Sequence, residues 1–161
     1  MGKNFIRSEK DLWILTAIIF ITLVANKLAL PISGNEEDYL GFAMQFFNPG
    51  WIRNSFTLSD FPGSRLFFQL IVGWPLQFLP WETALCLFRF INFFLLAVGL
   101  AFLFRKLKLH YLEAFFIFQI YIITAQSFFG GEWIFYGFEP KTLAYIFVFP
   151  SLAYFPVLCA H

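Results

Sequence analysis

Charge is scarce in this chain. Only 13% of its 161 residues are Asp, Glu, Lys or Arg and the formal net charge is +1, so it lacks the basic excess that holds nucleic acid. The two cysteines, Cys86 and Cys159, are too few for a disulfide framework. Both lie inside apolar runs and read as small buried hydrophobes. His110 has no second histidine nearby, which excludes a paired-imidazole metal or catalytic site, and with Glu113 it reads as an interfacial residue. The start MGKNFI has no Ser or Thr at its sixth position, as a myristoylation signal requires. Internal repeats and low-complexity linkers are absent.

What is abundant is apolar surface. Hydrophobic residues make up 60% of the chain, 26 of them Phe, and mean hydropathy is +0.71. A soluble domain is nearer half apolar, so this composition is that of a membrane protein. Four stretches approach the roughly 20 apolar residues a bilayer-crossing helix needs, at residues 12–30, 83–104, 111–129 and 142–160. A fifth, residues 64–79, is too short at a rise of about 1.5 Å per residue and carries Pro75 mid-run. Its polar stripe of Arg65, Gln69, Gly73 and Gln77 predicts a helix lying in the interface. Residues 1–161 therefore read as one all-α domain, a polytopic transmembrane bundle of about four spans plus an interfacial helix.

Sidedness follows from the few cations. Lys3, Arg7 and Lys10 precede the first span, and Arg105, Lys106 and Lys108 follow the second. Cytoplasmic loops carry such clusters, so both are expected inside, which requires an even number of crossings between them. The amino terminus is then cytoplasmic and residues 31–80 and 130–141 are extracytoplasmic. A competing reading makes residues 1 to about 30 a signal peptide, but Asn26 and Lys27 stand where small cleavage-site residues belong. The chain stops at LCAH, directly after the fourth apolar run, which reads as a point inside a longer protein.

Three constellations hold the chemistry-bearing residues. In GNEEDY, Glu36, Glu37 and Asp38 follow one another. Ser33 with Glu36, or Asn35 with Asp38, would cap a helix starting there. Capping accounts for one acid; three adjacent carboxylates repel unless a cation offsets them. Arg89 lies about 12 Å into the second span from the interfacial Trp81, a depth at which a guanidinium needs a carboxylate, a polar cavity or a phosphate. Glu82, two turns earlier on the same face, is the expected carboxylate, with Asn92 extending that face inward. A lipid phosphate is the alternative. In GGEWIFYGFEPK, Glu132, Glu139 and Lys141 sit among Gly130, Gly131 and Gly137 and several aromatics; Pro140 would begin the last helix. Gln119 and Gln126 share a face of the third span and are expected to bond between helices.

The order of these parts resembles the amino-terminal half of GT-C type membrane glycosyltransferases, which use polyprenyl-phosphate-linked sugars. The pieces that carry the resemblance are EEDY, SRLFFQLIVGWPLQFLP, ETALCLFRFINFFLLAVGLAFLFRKL and the Glu-bearing turn. GGEW and GFEPK are also similar to an uncharacterised group of bacterial multi-pass proteins. The resemblance implies sugar transfer at the extracytoplasmic face of a bacterial inner membrane, with Asp38, and Glu37 second, as the catalytic carboxylate. Arg89, Arg65, Glu139, Lys141 and Glu132 would bind the polyprenyl-phosphate-sugar donor. A divalent cation, if used, would fall to Asp38 and Glu139. This chain has Glu-Glu-Asp where the family has an Asp-Glu pair, and it lacks the family's further spans and carboxy-terminal part. A non-enzymatic scaffold or transporter fragment is the alternative, its charges serving as interhelical pairs.

Overall fold

The computed structural model describes residues 8–29, 31–32, 34–55, 58, 65–124 and 137–158. Among them there are helices and connecting turns but no strands. Six α-helices occur in chain order: α1, Glu9–Leu23; α2, Gly34–Phe47; α3, Leu66–Gly73; α4, Trp81–Lys106; α5, Tyr111–Ile123; and α6, Pro140–Leu158. Two stretches, Glu9–Leu28 and Trp81–Lys106, are long and apolar enough to cross a membrane, and Tyr111–Ile123 is a shorter apolar helix.

Local chemistry explains where these helices begin and end. Ser8 caps α1 in a reciprocal box: Asp11 N–H donates to Ser8 Oγ at 3.0 Å, and Ser8 N–H donates to Asp11 Oδ2 at 2.9 Å. His110 and Glu113 do the same for α5, with Glu113 Oε2 accepting from His110 N–H at 2.7 Å. His110 and Glu113, read from the sequence as interfacial, thus also form a helix start. Inside α1 the Thr16 hydroxyl donates to Leu12 O at 2.9 Å, and in α6 the Ser151 hydroxyl donates to Phe147 O at 2.7 Å. Polar side chains in an apolar setting thus return their hydrogen bonds to their own helix.

α4 is the axis of the molecule. Its buried residues, including Phe93, Leu96, Ala97, Leu100, Ala101 and Phe104, form one core with Leu12, Leu15, Ile19 and Leu23 of α1, Ala114, Phe118 and Ile122 of α5, and Phe149 of α6. α1 and α4 run antiparallel, since the end of α1 reaches Arg89 near the start of α4. α4 and α6 run parallel and in step. Phe138 stacks on Phe88 at 5.2 Å, a Cβ on Gly99 would lie 3.2 Å from Pro150, and Lys106 Nζ sits 5.1 Å from the Tyr154 ring centre. The chain must therefore return along the full length of α4 between them, and α5 runs in that connection.

α2 and α3 fold back over the first turns of α4. Leu40, Ala43, Phe68, Val72, Leu76, Ala84, Leu85 and Phe88 form this second core with Phe138. Buried Gln45 fixes the exit from α2, donating through Nε2 to Pro49 O at 2.9 Å and accepting from Ile52 N–H at 3.0 Å. Gly73 packs so tightly on α2 that a Cβ there would run into the Ala43 carbonyl and the Phe47 ring.

Two expectations are corrected here. The polar stripe of residues 64–79 does not face water: Gln69 and Gly73 are buried, while Phe67, Leu70, Ile71, Trp74 and Phe78 point outward. The helix is also broken, with eight residues in α3 and a separate 3-10 turn at Pro75–Gln77, because Pro75 cannot donate its N–H. At about 12 Å, α3 is far too short to cross a core about 30 Å thick. Cys86 is exposed, not buried. The packed face of α4 runs through Ala84, Leu85, Phe88 and Arg89, and Cys86 lies opposite it, beside Glu82, Leu87 and Phe90. Cys159, Gln126 and Ser33 lie outside the described residues.

Candidate functional site

The apolar stripe of α2 selects one acid from three. Glu36, Leu40 and Ala43, spaced at helical period, are all fully buried, whereas Glu37 and Asp38 fall on exposed faces. Glu36 is thus carried into the core at the end of the bundle where α1 finishes and α4 begins, and it meets Arg89 there.

Arg89 is 2% exposed and its side chain is bound on three sides. Nε donates to Glu36 Oε1 at 2.9 Å and Nη2 donates to Glu36 Oε2, a bidentate pair. Nη1 donates to Leu28 O and Nη2 to Pro31 O, both at 3.2 Å. Leu28 ends a π-helical turn, Val24–Leu28, that closes α1. The guanidinium therefore occupies one carbonyl that the helix end would otherwise leave without a partner, Leu28 O, and one from the chain just beyond it, Pro31 O. Glu36 Oε1 also accepts from Phe138 N–H at 2.6 Å. One ion pair thus ties together the end of α1, the first turn of α2, α4 and the segment leading into α6.

The approach at Phe138 depends on Gly137. A Cβ there would lie 2.5 Å from Glu36 Cδ, closer than any real contact, so the position admits no side chain while Glu36 holds its place. This is the physical role of one glycine in the GFEPK element.

Glu139 follows directly. Its backbone is held by Thr142, whose hydroxyl accepts from Glu139 N–H at 3.0 Å and donates to Glu139 O at 2.8 Å. The carboxylate is buried, and Lys141 Nζ stands 3.1 Å from Oε2, near enough for an ion pair. Among the described residues Oε2 has no hydrogen-bond partner, so the contact with Lys141 is an ion pair alone. Arg65, at the entry to α3, lies with its guanidinium carbon 4.7 Å from the Phe42 ring centre and 5.5 Å from that of Tyr39.

The structure thus brings Arg89, Glu139, Lys141 and Arg65 to the same end of the bundle around α2, with Glu37 in its first turn and Asp38 just after it both exposed. Glu132 lies outside the described residues, as does the GGEW element. The expected Glu82–Arg89 pair does not form. Glu82 is about 10 Å along the axis from Arg89 and is exposed in the first turn of α4, whereas the α2 turn presents Glu36 directly. Asn35 is inside α2, so it is not the cap that was expected. Asn92, one turn beyond Arg89, is 1% exposed, and neither amide atom has a hydrogen-bond partner among the described residues. Among the described residues no three His, Cys, Asp or Glu side chains converge to hold a metal ion.

Glu36 is the residue that the sequence reading left out of the site. Its signal was the i, i+4, i+7 run of Glu36, Leu40 and Ala43, which marks it as the inward acid. Compared with known proteins, no family model, no curated protein and no solved structure matches the chain. Function is accordingly argued from the site.

Proposed function

We propose that the chain is a four-span membrane unit with GT-C-like organisation that transfers a sugar from a polyprenyl-phosphate carrier at the extracytoplasmic face of a bacterial inner membrane. The parallel run of α4 and α6 supports the count: if both cross, the connection containing α5 must cross back, and α1 makes the fourth. Exposed apolar side chains on all the long helices, such as Ile21, Phe90, Ile120 and Phe147, fit a lipid surrounding.

The observation that carries the chemistry is the assembly of both signs of charge at one end of this apolar bundle. The buried Glu36–Arg89 pair fixes the first turn of α2, leaving Glu37 and Asp38 exposed beside the segment that bears Glu139 and Lys141. In this reading Asp38, with Glu37 second, takes the proton from an acceptor hydroxyl. The hydroxyl oxygen then bonds to the anomeric carbon as the lipid phosphate departs with its electron pair. Lys141, beside Glu139, and Arg65, against Tyr39 and Phe42 of α2, are the cations assigned to that phosphate.

The scaffold reading has an observation in its favour as well. Arg89 spends its donors on Glu36 and two carbonyls, as a purely structural guanidinium would. The discriminating experiment is sugar transfer from a polyprenyl-phosphate donor by the full-length protein, measured beside thermal stability in detergent. Asp38→Asn should leave stability within a few tenths of a kcal/mol, since Asn is accepted near a helix start, while transfer falls at least about 100-fold. Full turnover by Asp38→Asn, Glu37→Gln and the double variant removes this turn from the chemistry and leaves the scaffold.

A further inference from the structure

A cleft of about 750 Å³ lies between α4, α5 and α6, away from the Glu36–Arg89 assembly. Its walls are Leu100 and Phe104 of α4, Ile117 and Tyr121 of α5, and Val148 and Leu152 of α6. Ile117, Val148 and Leu152 are all exposed, so the cleft opens sideways, toward the surface that lipid would cover. Tyr121, near the end of α5, and Tyr145, in the first half of α6, are the lining residues that carry a polar group; the others are hydrocarbon.

The opposite mouth is basic. Past Phe104 the chain continues as Arg105, Lys106, Leu107 and Lys108. Lys106 lies over the Tyr154 ring, 5.1 Å from its centre, which holds its ammonium across the gap from α4 to α6, two residues beyond the lining Leu152. Lys108 is exposed, with a left-handed backbone at φ 55° that turns the chain from α4 toward α5. A hydrocarbon slot with Lys106 held at its end and the exposed Lys108 two residues on is complementary, once α4 and α6 lie in a bilayer, to a lipid with an anionic headgroup.

We propose that this cleft binds one acyl chain of an anionic phospholipid, with the phosphate seated on Lys106 and Lys108. The site needs only the membrane placement of α4 and α6. It is independent of any sugar transfer at the other end, and either reading can fail while the other stands.

The test uses the full-length protein in nanodiscs containing equal parts phosphatidylglycerol and phosphatidylcholine, with retained lipid counted by native mass spectrometry after transfer to detergent. The expected result is at least a five-fold preference for phosphatidylglycerol at a stoichiometry of one. Lys106→Gln with Lys108→Gln should reduce that preference below two-fold. Leu152→Trp, which fills the slot with both lysines intact, should abolish retention, and Val148→Phe does the same job should the first variant unfold. Equal retention of the two lipids overturns the proposal. So does phosphatidylglycerol preference that survives both cleft-filling variants, which would mean surface attraction alone, or displacement of the lipid by millimolar inorganic phosphate, which would mean a free-anion site.

Discussion

The Glu36–Arg89 pair is open to a thermodynamic test with a sharp expectation. Both side chains are buried to within 2% and each satisfies the other. Replacing Glu36 by Leu removes the carboxylate that pairs with the buried guanidinium, and breaking a buried pair in this way costs about 3 to 5 kcal/mol. Arg89→Met leaves the carboxylate with the Phe138 N–H and should cost a similar amount. If the two acted independently, the double variant would lose about 6 to 10 kcal/mol. It removes both charges at once, however. Its main residual penalty is the orphaned Phe138 N–H, worth about 1 to 3 kcal/mol, with the Leu28 and Pro31 carbonyls demanding less. The double variant should therefore be no worse than either single one, with a coupling of about 3 kcal/mol or more. Reversible unfolding in mixed micelles, followed by tryptophan fluorescence, measures all four corners of the cycle. Additivity within about 0.5 kcal/mol would refute the claim that this pair is the fastening point of the α2 end.

Two glycines of the α2–α3 hairpin should respond in opposite ways. Gly73→Ala meets backbone at Ala43 and should destabilise by about 1 to 3 kcal/mol, whereas Gly41→Ala meets only Leu58 at 3.6 Å and should stabilise α2 by about 0.5 to 1 kcal/mol. Thermal unfolding of the two variants under identical conditions checks the pair. For topology, an impermeant thiol reagent applied from outside intact cells should label Asn48→Cys but not Lys106→Cys, in a background with Cys86 and Cys159 changed to Ala. Labelling with the reverse pattern contradicts an inside amino terminus.

Helices were legible wherever composition alone decides. The runs at residues 12–30 and 83–104 correspond to α1 with its π-turn and to α4, because a continuous apolar stretch with charges at its ends leaves few alternatives. That Arg89 needs a polar or charged partner was also legible, with a carboxylate, a polar cavity and a phosphate all left open. Which partner was not. Glu82 is close in sequence, but Glu36 is 53 positions away and meets Arg89 only because α2 folds back over α4, a tertiary event with no local signature. The stripe on residues 64–79 misled for a related reason. Polar residues on a short amphipathic segment seek either water or a neighbouring helix, and here Gln69 and Gly73 turn inward while Phe67, Leu70 and Trp74 take the outer face. The role of Gly137 lay equally out of reach, because the atom it must avoid belongs to a residue about a hundred positions earlier.

The order of the partners along the chain bears on how such a protein is made. Glu36 precedes Arg89 by 53 residues, and Phe138 follows Glu36 by 102. A ribosome adding about 5 to 20 residues per second makes the acid roughly 3 to 10 s before the base. An arginine entering a bilayer alone carries a penalty of about 2.5 to 3.5 kcal/mol. Here its counter-charge has already been synthesised when α4 emerges, so the helix with the costliest residue need not wait for its neutralisation. The Phe138 N–H is synthesised last, so assembly of the bundle can run in one direction, each helix completing a site prepared by the one before.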